Sequence, residues 1–467
     1  AVLDSTSIAR IAADRRAART VAGSGPYRIA SWVDGDNVVL ERAAPDPTPE
    51  AVTKTLVIRW TAEPAARAAE LKDASVDGMD APGPTELEAI STLPELVVTP
   101  RAGMATAFLA FGSGPAFAGT RVRRALALSI DRAALVDAAF PAGSLVPAHV
   151  IPCAVVGGCG GRAWYDFNGP AAVAALADEQ FDLEATYPLH VPDQPVPGLP
   201  DPVAVANALR DQLAANIGLT VTVDVMPLAA FRKAVGAGSL AGLYLDGVAS
   251  SLADPVGFLG PLFGDDVRTT PARRATAVKA AVASLASVTD PQGRADAVGV
   301  VNDAIRSVAV MVPLANPGSV VAFHGDVTGV STSAMGLDPL GSATPGDRPQ
   351  LVFTQATEPD GAYCGDQASP DALRLCGLVT QGLFGFESGT LARRPILART
   401  CDPSPDATVW TCTLRSGRTF TDGMAIDAGD VLASFVAQWD RTQPLRAAEP
   451  EAPFAAWDEL FGGTLDG

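Results

Sequence analysis

Three histidines, six cysteines and 52 carboxylates are the side chains from which this 467-residue chain has to build any chemistry. His149, His190 and His324 are scattered along the sequence and none lies near a Cys-x-x-Cys, so neither a general base nor a zinc site is written into a local motif. No Gly-x-Ser-x-Gly nucleophile elbow occurs. Gly236-Ala237-Gly238-Ser239 and Gly157-Gly158-Cys159-Gly160-Gly161 invite a phosphate-loop reading. Neither follows a strand and opens a helix with Lys-Ser/Thr or the dinucleotide spacing, so both fail on context. A glycosidase-like carboxylate pair is compatible with so many acids, but isolated Asp and Glu on an acidic surface are ordinarily solvated. The expectation is a protein that is not an enzyme, with no metal and no cofactor.

The cysteines fall into three close pairs, Cys153/Cys159, Cys364/Cys376 and Cys401/Cys412. An even count at short spacing points to local disulfides and so to an oxidising, extracytoplasmic compartment. Reduced, buried cysteine acting as a small hydrophobe is the alternative. Cys401 and Cys412 flank the turn-rich Asp402-Pro403-Ser404-Pro405-Asp406 and are placed to face each other across a hairpin.

The elements that must position these side chains follow from composition and period. Hydrophobic residues at 48% against 18% charged exclude a disordered chain. The formal charge, 34 − 52 = −18, argues against nucleic acid or an anionic membrane as partner. No run reaches the roughly 18 apolar residues of a membrane span, and no signal peptide is read in the opening Ala1-Val2-Leu3-Asp4, one removed or lying upstream being compatible with it. Val205, Leu209, Leu213 and Ile217 recur every four residues as a helix face that Gly218 ends, and Leu219, Val221, Val223 and Val225 then alternate as a strand. Helices are also predicted over Arg121–Phe140, Thr276–Ser287, Ala295–Val308 and Val431–Asp440, the last capped by Asp430. Helices alternating with β-branched strands imply an α/β architecture with covered sheets. The stretch Gly341–Asp347 has almost no apolar side chains and reads as a linker, after which Leu351-Val352-Phe353 starts a new strand.

Four stretches together resemble the solute-binding proteins of peptide, opine and nickel ABC importers, solute-binding protein family 5. They are Gly23-Ser24-Gly25-Pro26-Tyr27 with Trp32 and Leu40-Glu41-Arg42; Phe108–Phe111 with Arg121–Leu126 and Ile130-Asp131-Arg132; Gly247 to Leu259; and Arg415–Gly423 with Asp430-Val431. Their order departs from the family's. Segments similar to its beginning (Glu358-Pro359-Asp360, Gln381-Gly382-Leu383 and Arg415–Gly423) come last here, after Val312–Val330, which resembles its end. Either a window on a tandem fusion or a circular permutant opened inside the small lobe accounts for that order, and the chain's ends favour the tandem window. In both cases residues 350–467 are expected to pack against 1–342 and supply strands to its lobe.

The resemblance implies a two-lobed periplasmic-binding-protein-like (type II) α/β fold with a small accessory subdomain, and a solute caught in the cleft by hinge closure. It divides the chain into 1–20 (part of the accessory subdomain), 21–106 (lobe I), 107–312 (lobe II) and 313–342 (return to lobe I). The linker 343–349, a lobe I N-terminal-type segment at 350–393 and the rest of the accessory subdomain at 394–467 complete it. Contacts to the solute are expected from Gly247, Val248, Ser251 and Asp254, from Asp360 and Tyr363, and from the interlobe strand at Thr106 and Phe108. In several peptide-binding relatives the position of Ser251 is an aspartate that pairs with the peptide's α-ammonium, and that of Val248 is often tryptophan. The uncharged Ser251 disfavours peptides with free amino termini. Asp254 stands before Pro255, where a turn or cap is the commoner role, and the Asp360–Tyr363 segment reads equally as a surface loop. Gly23, Gly25 and Pro26 are expected to form a turn with special backbone angles over Tyr27, and Arg121 and Asp131 a solvated or half-buried charge pattern. Nickel as a bare ion is disfavoured by the few histidines, while a chelate fits. The implied partners are a small-molecule or peptide solute and importer permease subunits, with the membrane reached only through the permease or a lipid anchor. The implied location is the periplasm or cell surface. A sensor or chaperone-like protein of the same fold is the competing reading, and a hydrolase a distant third.

Overall fold

The computed structural model describes residues 1–44, 50–250, 253–264, 275–367, 369–387, 390–406, 408–440 and 442–445. The chain forms two compact units, residues 1–101 with 320–467, and residues 102–319. The changeovers therefore fall at 101/102 and 319/320, where the sequence suggested 106/107 and 312/313. Hydrogen bonding is the reason. The strand Ala105–Phe111 pairs with Leu243–Ala249 on one side and Met311–Ala315 on the other, so all three belong to the second unit.

Unit 1 is built on strands β1 (Tyr27–Val33), β2 (Asn37–Arg42), β3 (Thr55–Trp60), β4 (Gly78–Asp80) and β5 (Leu96–Arg101). Unit 2 contributes β6 (Ala105–Phe111), β7 (Thr186–Pro192), β8 (Thr220–Met226), β9 (Leu243–Ala249) and β10 (Met311–Ala315). The chain then returns through β11 (Ser319–His324), β12 (Leu351–Gln355), β13 (Phe384–Phe386), β14 (Arg393–Pro395), β15 (Ala398–Pro403) and β16 (Trp410–Leu414). The seven-stranded sheet of unit 1 has the order β1-β2-β3-β12-β4-β11-β5. β12 runs parallel to β3, with Leu351 opposite Leu56 and Gln355 opposite Trp60, and parallel to β4 on its other edge. A strand from near position 353 is thus interior to a sheet otherwise made by residues before 325. Its alternation explains why it stays there: Leu351 and Phe353 are buried, and Phe353 stacks on Phe323 with centroids 5.5 Å apart.

The presumed tether before β12 is itself packed. Ala343 is buried and belongs to the unit 1 core, and Thr328 and Thr344 exchange backbone hydrogen bonds of 2.8 and 3.0 Å. Arg348 pairs with Asp326 at 2.6 Å and with Asp77. Only residues 346–350 of that connection are exposed. Residues from both ends of the chain share a smaller cluster, where Val2 packs with Ile396, Leu397 and Phe420. Beside it, Ser434 Oγ accepts from Leu3 N and donates to Leu3 O, both at 3.0 Å.

Unit 2 carries a five-stranded sheet, β10-β6-β9-β7-β8, in which β7 is parallel to β8 and β9 while β6 is antiparallel to β9 and β10. The helix Pro202–Ile217 buries Val205, Leu209, Leu213 and Ile217, and Gly218 caps it before β8, as the period requires. The predicted helix over 121–140 is two helices, Thr120–Ser129 and Arg132–Ala139. Asp131 breaks it: its side chain caps Ala134 N, while Gln212 pairs with both its backbone N–H and C=O. Arg121 is exposed and meets Glu179 at 3.1 Å, a solvated pair. The helix ending at Val308 starts at Pro291 behind the cap Asp290, one turn earlier than its apolar period showed. Similarly, Asp427 rather than Asp430 caps the Ala428–Trp439 helix; Asp430 returns the favour from the third position, completing a capping box.

All three cysteine pairs are bridged, with Cα–Cα distances of 4.7 Å for Cys153–Cys159, 5.6 Å for Cys364–Cys376 and 4.0 Å for Cys401–Cys412. The last joins directly opposed residues of the β15–β16 hairpin.

Candidate functional site

In a sheet with parallel strands, ligand-facing chemistry gathers outside the carboxyl ends. In unit 1 the parallel strands β3, β12 and β4 end at Trp60, Gln355 and Asp80. A buried charge network lies there. Arg101 donates to Asp80 at 2.9 Å and to Asp338 at 3.1 Å. Arg374, from the Pro370–Val379 helix, donates to Gln355 at 2.7 Å and Asp371 at 3.1 Å, and also pairs with Asp80 and Asp338. Asp371 in turn accepts from Thr357 N and Thr357 Oγ1 at 2.9 and 2.7 Å. Burial pushes the Asp80 carboxyl up, but the Arg374 and Arg101 guanidiniums more than offset it and hold it below the ordinary range. A third buried guanidinium, Arg67, donates to Asp80 O at 3.3 Å and interacts electrostatically with Asp80 and Asp371, so three guanidiniums stand against the three carboxylates. Beside it lies a cavity of about 340 Å³ lined by Asp338, Arg374, Cys376, Phe384, Phe386 and Glu387, among others.

This network fixes the loop that follows β12. Glu358 accepts from Trp32 Nε1 and Gly35 N, both at 2.9 Å, and pairs with Arg19 at 3.2 Å. Arg19 Nε donates to Asp360 O at 3.2 Å, and Ala362 N donates to Ala18 O at 2.9 Å. Cys364–Cys376 ties the loop's far end to the same helix that carries Arg374. Of the two residues assigned to this loop, Asp360 is exposed with its side chain open to solvent. Tyr363 is not on an open surface: its ring belongs to the unit 1 hydrophobic core at 5% exposure, because the disulfide next to it draws the loop down.

In unit 2, β6 and β9 bring four predicted residues side by side: Thr106 is opposite Val248, Ala107 opposite Gly247, and Phe108 opposite Asp246. Thr106, Phe108 and Val248 are buried, since β6 has a strand on each flank. Thr106 Oγ1 donates to Val150 O at 2.8 Å and accepts from Asn316 Nδ2 at 2.7 Å, so its polar capacity is spent inside the unit. Gly247 admits the turn at Pro197–Gly198: a Cβ there would sit 1.8 Å from Pro197 O. Asp246 beside it is buried, which pushes its carboxyl up against the pull of Arg232 at 2.9 Å and the Gly247 N–H. Asp254 caps the Pro255–Phe263 helix at Val256 N and binds Arg294 through both oxygens, at 2.7 and 2.8 Å. Its carboxylate is thus committed to the cap and the ion pair. Ser251 lies outside the described residues.

The glycine signature at 23–26 works by close approach rather than unusual backbone angles. Neither Gly23 nor Gly25 has positive φ, but a Cβ on either would meet the Val379 backbone at 1.9 and 2.4 Å. Tyr27 is fully buried beneath it, donating to Thr53 O at 2.6 Å.

The sequence reading missed Arg374, Asp80, Asp338 and Arg101. A signal existed for one of them: Arg374 lies just before Leu375 and Cys376, apolar residues that the Pro370–Val379 helix buries. Its partners, 294 and 36 residues away, had none.

A chain that passes twice between two α/β units, each around its own sheet, has the fold class of the two-lobed periplasmic binding proteins. Residues 7–269, more than half of the chain, match the family described as bacterial extracellular solute-binding proteins, family 5 Middle, and the protein belongs to that family. It is 26% identical over 254 residues to SapA of Escherichia coli (strain K12), described as a probable ABC transporter periplasmic-binding protein. That match covers 52% of this chain and 44% of SapA. Among solved structures, HbpA2 from Haemophilus parasuis aligns with a TM-score of 0.59 at 24% identity, over 68% of this chain and 64% of that one. The nickel ABC transporter structure from Bacillus halodurans aligns with a TM-score of 0.56 at 16% identity, over 67% of each chain. The chain thus spans under half the length of the curated relative it matches and under two thirds of HbpA2. No helix among the described residues is long and apolar enough to cross a membrane.

Proposed function

We propose that this protein is the extracytoplasmic solute-binding component of an ABC importer, taking up a peptide or peptide-like small solute without bond chemistry. The match to the family over residues 7–269 carries the proposal. Three disulfides support a periplasmic or cell-surface location, secreted or lipid-anchored. Permease subunits are the proposed protein partner, and nucleic acid is not one. The packing of β12 onto its own chain supports reading 350–393 as the lobe I N-terminal-type segment.

Each unit is assigned its own solute-contacting set. In unit 1 this is the loop at Asp360, held by Glu358 and by the network around Arg374; in unit 2 it is Gly247 at the carboxyl end of β9 together with Ser251. Thr106, Phe108, Val248 and Tyr363 act as the packed support of these sets. A thermal-shift screen with di- to pentapeptides, opines, oligosaccharides and metal chelates tests the reading, because a bound solute raises Tm by mass action. A rise with peptides is expected. Silence across every peptide together with a response to another class overturns the peptide assignment. Ser251→Asp is expected to strengthen binding of peptides with free amino termini, as a charged partner there adds about 1.5–3 kcal/mol; unchanged calorimetric affinity removes Ser251 from the site.

A further inference from the structure

The loop after β12 in unit 1 rests on a segment from the other end of the chain. Its own ends are anchored locally: Thr357 is held by Asp371 at 2.9 and 2.7 Å, and Cys364 by the bridge to Cys376. Between those anchors three consecutive residues lie on Ala18 and Arg19. Asp360 O accepts from Arg19 Nε at 3.2 Å, and Ala362 N donates to Ala18 O at 2.9 Å. Gly361 comes so close that a Cβ on it would be 2.5 Å from the Ala18 Cβ and 3.0 Å from the Ala18 carbonyl carbon. Ala18 is itself buried in the unit 1 core, so the loop has a fixed seat.

Arg19 spends its whole guanidinium there. Besides the Asp360 carbonyl it pairs with Glu358 at 3.2 Å through Nη2 and with Asp34 through Nη1. Its face lies over the Trp32 ring, 4.9 Å from the centroid. Trp32 Nε1 and Gly35 N donate to the same Glu358 carboxylate, both at 2.9 Å. One side chain, 20% exposed, therefore joins β1, the turn that follows it and two residues of the loop. A guanidinium can do this because its three nitrogens diverge in one plane, whereas an ammonium offers a point charge and no plane to stack.

We infer that Arg19 is a positioning residue for solute capture, holding the Asp360 backbone in one conformation before the solute arrives. It acts through Glu358 and Asp360 rather than on the solute itself. The inference rests on the proposed function in taking this loop as a solute contact. Its physical basis is that a loop ordered only on binding subtracts the cost of that ordering from the affinity, and a loop already seated does not.

Hydrogen exchange on the full chain tests the seat without any solute. In Arg19→Gln, peptides covering 358–363 should exchange faster, while those covering the Pro370–Val379 helix keep their protection. Unchanged exchange at 358–363, or an equal loss over that helix, overturns the inference. Calorimetric affinity for trialanine should fall by about tenfold in Arg19→Gln and stay low in Arg19→Lys, which keeps the charge but lacks the fork and the plane. Full affinity in either variant also overturns it. Trialanine that fails to bind the unaltered chain counts against the solute reading and not against the seat, which the exchange result decides. Should Arg19→Gln not fold, Arg19→Lys carries both measurements.

Discussion

Arg374 and Asp80 are 294 residues apart in sequence and bonded in the interior of unit 1, the guanidinium with no solvent exposure at all. The pair joins the helix after β12 to the end of β4, and through Asp338 and Arg101 it also reaches the loop before the linker and the end of β5. A charge in that position is tolerable only while all its partners are present.

Arg374→Met should therefore destabilise unit 1 by about 3–5 kcal/mol, because Asp80, Asp338 and Asp371 remain buried without the guanidinium that pairs with all three. Urea unfolding measures it. Adding Asp80→Asn to Arg374→Met should recover part of the loss; a second change that only deepens it would show that the pair is not the relevant coupling.

The exposed end of the linker allows a cleavage test. A protease site inserted between Gly346 and Asp347 should be cut readily, since both residues are exposed. The fragments should still co-elute on size exclusion, as β12 is hydrogen-bonded on both edges and Arg374 is buried on the other fragment's carboxylates. Prompt separation would mean that the interior position of β12 contributes little.

Gly247→Ala should cost about 1–3 kcal/mol, as an overpacking change does when the obstacle is backbone. The obstructing atom, Pro197 O, belongs to a turn fixed by mutual backbone bonds between Val196 and Leu199. Thermal unfolding of the variant reads the cost; an unchanged Tm would show that the turn is free to retreat.

Asp80 and His149 both make stability fall on acidification, in different pH ranges. The folded-state pKa of Asp80 is depressed, so its contribution is complete above the unfolded value near 3.9 and is lost as pH falls through the folded value. His149 is also depressed, by burial first, with Arg132 and Arg306 adding to it and Cys159 and Asp303 opposing. The native state then binds fewer protons than the unfolded chain, so stability should begin to fall as pH drops below about 6.5. Denaturant titrations from pH 8 to 5 should show this slope, and His149→Gln should flatten it; an equal slope in both proteins would assign it elsewhere.

Much of the molecule follows from local pattern. The four-residue apolar spacing of 205–217 and the alternation of 219–225 dictate a helix and a strand wherever they are placed, because each has one face to bury. Cysteine spacings of 6, 12 and 11 were short enough for local bridges to be the natural reading. Caps were legible only to within a turn, since Asp427 and Asp430 are chemically equivalent candidates and the reciprocal geometry decides between them.

Tertiary structure alone decided which polar groups were buried and with whom. Thr106, Phe108, Val248 and Tyr363 all looked like contact residues, and strand pairing and a disulfide enclose them. Asp80, Asp338 and Arg374 look like any other charges in an acidic sequence; what makes them a network is that β12 enters the sheet between β3 and β4 and carries its helix with it. Periodicity measures distance along the chain, whereas the energy of a buried charge depends on distance through space, and only the fold relates the two.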